Sequence, residues 1–377
     1  MIKTFSASLW NRKASMLFLS VLVTLSLIIS ACGGGTSNNS GGTTQPPAQT
    51  GDNGTDTETP DEGPKELTKA SMVIAVNTLS FAPIFVAEKL GYYEDEGVDM
   101  QLILVEGTGP AIQALVGGSA EFAAVDSGGT VQPFEKGAPV MSIQANVNKM
   151  TMDFALSNDA LEKTGITADT PIEEKFKAME GLMIGITSPG AATDLFTRYY
   201  LNQAGLKPEV DTRLLAVGAG PSLSAALKSG QIDGFMLSPP APQQLEAGGD
   251  AKIVISASTG EVPGLDNFPY EVINVTKTFA EKDPETVRAV ARALARANNL
   301  LIDDLDAAVD ALAQHFDQVD PEILKAGTAS VANAVPRDGL MNEDGWKNAV
   351  EIYKMTGMIS EDLDTTEGVM WTNEFLK

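Results

Sequence analysis

Only one cysteine, Cys32, and one histidine, His315, occur in 377 residues, so the side chains most used for metal ligation and nucleophilic catalysis are almost missing. A lone cysteine closes no internal disulfide, and one His with one Cys assembles no metal cluster. No spacing in the sequence pairs two carboxylates for general acid–base work. His315 falls on an expected amphipathic helix, remote from the loops considered below, and reads as a surface or satisfied helix residue. No metal, cofactor or catalytic residue is therefore expected. Positive charge is the next scarcity: 26 Lys+Arg face 50 Asp+Glu, a formal net charge of −24. A surface so negative repels nucleic acid and anionic headgroups, which excludes nucleic-acid binding. It leaves the ligand open, because a pocket can differ from the surface around it.

Long apolar runs are also scarce, with one exception at the start. Lys3, Arg12 and Lys13 lead into a nearly uninterrupted apolar run over residues 16–29, closed by Ile29, Ser30, Ala31 and Cys32. The run is shorter than the roughly 20 residues that a membrane-crossing helix needs, and its layout is that of a secretory signal. Ile-Ser-Ala-Cys resembles the lipobox of bacterial lipoproteins, in which the cysteine is lipidated and becomes the first mature residue. Residues 1–31 are thus expected to be removed and Cys32 to anchor an extracytoplasmic protein to the cell envelope. Without them 23 basic residues remain against 50 acidic ones, a net charge of −27. From residue 33 to 66 the chain is almost all Gly, Ser, Thr, Asn, Gln, Pro and acidic residues, with no aromatic residue. Such a composition cannot offset its ordering entropy with a core. Residues 32–66 read as a disordered tether spanning on the order of 30 Å root-mean-square.

The folded body begins near Ser71, and its length suits two domains or one bilobed unit. Short apolar stretches at 72–76, 98–105, 121–125 and 140–145 read as strands, interleaved with helices at 83–90 and 111–116. The pattern returns with strands at 182–187, 211–217, 232–237 and 252–256 and helices at 191–203 and 222–227. This alternation argues for parallel βαβ units and an α/β fold. Beyond residue 278 helix follows helix. Val287, Val290, Ala291 and Leu294 mark one core-facing stripe; Leu305, Ala308, Val309, Leu312 and Phe316 mark another.

The two groups also share wording. Gly107-Thr108-Gly109-Pro110 follows the second strand of the first group, and Gly218-Ala219-Gly220-Pro221 the matching strand of the second. Ala114-Leu115-Val116-Gly117-Gly118 and Ala226-Leu227-Lys228-Ser229-Gly230 come next, and each leads to an acid at the head of a strand, Glu121 and Asp233. The reading is a quasi-repeat of two α/β halves, with a ligand cleft where their strand carboxyl ends face each other. Four loops follow strands there. They supply Ser80 and Phe81; Asp126, Ser127 and Gly128; Ser188, Gly190, Ala191 and Thr193; and Ser238 as candidate ligand contacts. Glycine allows close approach of a ligand, and hydroxyls both donate and accept. Residues 128–130 and 190–193 open helices whose free N–H groups suit an anion. Asp194 competes for the second of these, so the charge of the ligand stays open.

Leu90-Gly91-Tyr92-Tyr93-Glu94-Asp95-Glu96-Gly97-Val98-Asp99 resembles a segment of the NMT1/THI5-like solute-binding proteins, a group that includes sulfonate, taurine and nitrate receptors of ABC importers. Further likenesses lie at 114–122, 181–186 and 225–234, and at the helix start Asp283-Pro284-Glu285-Thr286-Val287. The resemblance covers residues 71–377. It implies a bilobed type II periplasmic-binding-protein fold, with lobe I from 71–152 plus 270–377 and lobe II from 153–269. Hinges would lie near Asp153–Ala155 and Phe268–Glu271. It further implies a monomer that closes on a small organic or oxyanion solute and docks on a membrane permease driven by an ATPase. Alkyl sulfonates, taurine, nitrate-like anions and pyrimidines or other heterocycles are the ligand classes it brings. Two other readings stand beside it: an enzyme of pyrimidine or thiamine-precursor metabolism, and a ligand sensor without transport.

Overall fold

The computed structural model describes residues 66–377. The expected signal segment, Cys32 and the tether up to residue 65 lie outside the described residues. Within them are ten strands: β1 (Thr68–Ile74), β2 (Val98–Leu104), β3 (Phe122–Asp126), β4 (Val140–Val147), β5 (Asp153–Ser157), β6 (Met183–Ile186), β7 (Arg213–Ala216), β8 (Gly234–Leu237), β9 (Ala251–Ser256) and β10 (Glu271–Thr276). They form two five-stranded sheets, ordered β2-β1-β3-β10-β4 and β7-β6-β8-β5-β9. In each sheet four strands run in one direction and the inserted β10 or β5 runs antiparallel to both its neighbours. The fold is α/β and bilobed.

Burial explains why the central strand β3 reads as an apolar run. Every residue of β3 is buried, as expected where helices cover both faces of a sheet. The long helix Pro284–Asp303 shows how local chemistry starts an element. Asp283 accepts a hydrogen bond from the Thr286 N–H and Pro284 takes the first helical position, the standard devices for helix initiation. Its stripe of Val287, Val290, Ala291 and Leu294 is buried against the first half. Among the described residues no helix is long and apolar enough to cross a membrane.

The internal repeat is physical. Glu121 accepts from the backbone N–H of Ser71 at 2.8 Å, and Asp233 accepts from that of Met183 at 2.7 Å. Each acid thus ties the head of the third strand of its sheet to the first. Gly118 and Gly230 both sit at φ +72°, and each closes the preceding helix with an N–H bond to Leu115 or Leu227.

Several expectations need correction. Asp153–Ala155, read as a hinge, lies inside β5 and is paired on both edges, to β8 and to β9. The chain crosses between the sheets instead at 148–152 and at 257–270. Helices Asn158–Thr164, Ile172–Lys177 and Ala241–Ala247 escaped the periodicity reading, because one to two turns carry too few apolar repeats to register. His315 is not on a helix. The helix Leu305–Leu312 ends before it, and His315 stacks on Phe85 with centroids 3.7 Å apart. Its Nε2 lies 2.8 Å from Oδ1 of Asn77, so it touches one of the loops it was expected to avoid.

Candidate ligand-binding site

The carboxyl ends of the parallel strands of both sheets converge on a cavity of about 260 Å³. That is roughly the volume of nine molecules of liquid water, so it suits a compact solute. The first half contributes Ala75 and Val76 after β1, Glu106–Thr108 after β2, Phe81, and Asp126 at the end of β3. The second half contributes Thr187 and Ser188 after β6, Ala191–Thr193, Gly218 and Ala219 after β7, and Leu237 at the end of β8. Tyr270 and Glu271 enter from the return strand β10, whose first residue pairs with Asp126.

The halves meet closely at this point. Gly107 has φ +106°, and a Cβ placed there would lie 3.0 Å from Ser188 Oγ. Glycine is required on both counts. Behind the cavity the Leu79 N–H donates to the Pro239 carbonyl at 2.8 Å, and the Thr151 and Ser238 hydroxyls are 2.8 Å apart.

Five of the residues singled out from sequence line the cavity: Phe81, Asp126, Ser188, Ala191 and Thr193. Gly128 and Gly190 border an adjoining groove between the halves, together with Met358. Ser80, Ser127 and Ser238 are buried and form bonds within the protein. The Ser80 hydroxyl lies 2.8 Å from that of Thr78, Ser127 bonds the Tyr353 hydroxyl at 2.9 Å, and Ser238 bonds Thr151. Sequence reasoning missed Glu106, Thr108, Thr187, Tyr270 and Glu271. The Gly-rich segment after β2 had been noticed as a repeat and could have flagged Thr108. Nothing local marks Tyr270 and Glu271, because only the antiparallel return of β10 brings them to the cleft.

Each helix start expected to cradle an anion carries one of the protein's own carboxylates. The Gly128 N–H donates to Asp126 Oδ1 at 2.9 Å, and the Gly190 N–H donates to Asp194 Oδ2 at 2.8 Å. Asp194 also pairs with Arg198 at 2.7 Å. The titratable cavity residues are acidic apart from Tyr270: Glu106, Asp126 and Glu271. Asp126 and Glu271 are 2% and 3% exposed. Burial pushes the Asp126 carboxyl above its ordinary range, partly offset by the Thr108 hydroxyl and backbone N–H groups that donate to it. Burial, and then the charge of Asp126, hold Glu271 well above its ordinary range. Ser80 donates weakly to Glu271 Oε1 at 3.4 Å, and Glu271 Oε2 has no hydrogen-bond partner.

Residues 65–315 match the model of the NMT1-like family. Among curated proteins, the chain is 22% identical to YtlA of Bacillus subtilis (strain 168), described as a binding protein, over 79% of this chain and 86% of that one. It is 33% identical to the nitrate/nitrite binding protein NrtA of Nostoc sp. (strain PCC 7120 / SAG 25.82 / UTEX 2576), over 31% of this chain and only 26% of the relative. A solved structure from Bordetella bronchiseptica RB50 superimposes with TM-score 0.70 at 25% identity, covering 82% of this chain and 96% of that one. The alkanesulfonate-binding protein SsuA from Xanthomonas axonopodis pv. citri, solved with MOPS, superimposes with TM-score 0.61 at 16% identity over 78% and 96%.

Proposed function

Because this chain belongs to the NMT1-like family, we propose that it is the extracytoplasmic solute-binding component of an ABC importer. It captures a small polar solute between its two halves, without turnover, and presents the closed form to a permease and its ATPase. The observation that carries this reading is the cavity of about 260 Å³, which draws its walls from the strand ends of both sheets. A ligand that touches both halves favours the closed state by its differential affinity, and a cleft between two domains permits hinge closure. Lobe I is residues 71–152 plus 270–377 and lobe II residues 153–269, with motion absorbed in the crossings at 148–152 and 257–270. Cys32 carries the lipid that holds the protein at the membrane surface, and residues up to 66 serve as the tether.

A thermal-shift screen of the chain against sulfonates, nitrate, amines, amidines, amino acids and pyrimidines tests the receptor reading. A ligand that binds only the folded state raises the melting temperature by mass action. A shift with one chemical class, and recovery of that compound unchanged, is the expected result. Chemical conversion of the bound compound would replace the receptor by an enzyme, and silence across all classes would remove the transport role. Lipidation is tested separately by labelling with radioactive palmitate, which Cys32→Ser should abolish.

A further inference from the structure

We infer that the cavity selects a compact solute carrying a cationic, N–H-rich nitrogen group, an amine or an amidine or guanidine, with Asp126 and Glu271 as its acceptors. The inference rests on the receptor reading and narrows its cargo.

Three observations converge on it. At the two helix starts that could hold an oxyanion, Asp126 accepts from the Gly128 N–H, and Asp194, in the first turn of the second helix, accepts from the Gly190 N–H just before it. An anion at either start would enter beside this negative charge. The lining holds three acids and no Lys, Arg or His to compensate. Finally, Glu271 is almost fully buried yet its Oε2 is left without a partner. An unsatisfied buried polar atom costs about 1–3 kcal/mol, and a ligand N–H placed there would recover it. A buried charge is tolerated when it is paired and hydrogen-bonded, which is what a cation between Asp126 and Glu271 would supply. The rest of the wall is largely apolar and comes from both halves, with Val76 and Phe81 facing Ala191, Ala192, Ala219 and Leu237. They suit a short alkyl stem or a flat face.

Binding of this kind is linked to protons. The titratable groups around Glu271 are Asp126, Glu106, Tyr270 and, behind Ser127, Tyr353. Burial and the charge of Asp126 raise the Glu271 carboxyl well above its ordinary range, so a cation that favours its ionised form displaces protons to the buffer and binds more weakly as pH falls. The limiting slope is about tenfold per pH unit.

The test is isothermal titration calorimetry of the full chain with methylguanidinium and butylammonium, against nitrate and methanesulfonate, at pH 7.5 and pH 5.5. The expected result is binding of at least one cation, weaker at pH 5.5, with proton release seen as a buffer-dependent enthalpy. Glu271→Gln and Asp126→Asn should each weaken it tenfold or more. Since both sites are buried, Glu106→Gln serves as a variant that leaves folding alone, and a few-fold loss is expected from removing its exposed charge. Tighter binding of either anion, no binding of either cation, or cation affinity unchanged in all three variants overturns the inference. The receptor reading falls separately, only if the broad screen described above is silent as well.

Discussion

Asp153 offers a quantitative test of how this fold tolerates a buried acid. The residue is 2% exposed, and burial pushes its carboxyl from the ordinary 3.8 to about 6, against the opposing hydrogen bonds from Ser256 and Gln243. A carboxyl raised in the folded state binds its proton more tightly there than in the unfolded chain. The stability it contributes is therefore complete below the unfolded value and is lost as pH rises from 3.8 to about 6. About two pH units at 1.36 kcal/mol each amount to a cost of about 3 kcal/mol at pH 8, and of about 1 kcal/mol at pH 4.5. Asp153→Asn removes the charge while its surroundings can still be satisfied. The Ser256 hydroxyl can turn to accept from the new amide. The Gln243 Oε1, buried without a partner, gains a donor within reach if its amide rotates. Urea unfolding should show Asp153→Asn more stable than the parent at pH 8. Its advantage should exceed that at pH 4.5 by about 2 kcal/mol. A variant less stable at pH 8, or an advantage that does not change with pH, would refute the reasoning.

Other outcomes follow from single contacts. Glu121→Gln and Asp233→Asn each weaken a charge-assisted bond to a backbone N–H. Each should lower the unfolding free energy by about 1–2 kcal/mol, by similar amounts if the two halves are true structural repeats. A Cβ on Gly129 would lie 2.7 Å from Val125 Cγ2 and 2.8 Å from Thr108 Cγ2. Gly129→Ala should cost about 1–3 kcal/mol through overpacking and, by pushing Thr108, weaken ligand binding in the same calorimetric assay. Trp346 is fully buried and stacked 6.4 Å from Trp371. Trp346→Ala should cost about 3–5 kcal/mol by urea unfolding.

The architecture was legible because α/β alternation leaves a strong trace. Buried parallel strands such as β3 are short apolar runs, and the Gly-rich turns after β2 and β7 repeat almost word for word. Elements that were missed lack that trace. The helix Asn158–Thr164 buries only Ala160, so no apolar period exists to be read. The strand β5 was taken for a hinge because a chain crossing is expected between two halves, and sequence shows no difference between a crossing and a strand that begins at once. At the cleft, residues lying directly after parallel strands were found: Asp126, Ser188, Ala191 and Thr193. Tyr270 and Glu271 were not, because they reach the cavity through the antiparallel return of β10, a pairing between residues 145 positions apart in the case of Glu271 and Asp126. No local pattern encodes such a contact. The anion cradles are a related case. Loop composition announced free N–H groups, but whether Asp126 and Asp194 turn inward to take them is decided by side-chain packing.

The repeat also sets two buried acids in matching places, of which one borders the cavity and the other does not. Glu271 opens β10 opposite Asp126, the last residue of β3; Asp153 opens β5 opposite Leu237, the last residue of β8. The two acids thus hold equivalent places in the two sheets. Their surroundings differ in a way that assigns different work to each. Both oxygens of Asp153 accept bonds from neighbouring side chains, Gln243 and Ser256, so its valences are closed within the second half. Glu271 keeps one oxygen free and borders the cavity. Across the same ladder position, Asp126 adds a second carboxyl where Leu237 offers only an apolar wall. Duplication of an α/β half would place an acid at each return strand. With Asp in place of Leu as ladder partner, one of the two places presents two carboxyls to the cavity, and the other is a buried, proton-sensitive strut. Asp153→Asn should accordingly change stability and leave solute affinity within about twofold, whereas Glu271→Gln should weaken solute binding tenfold or more.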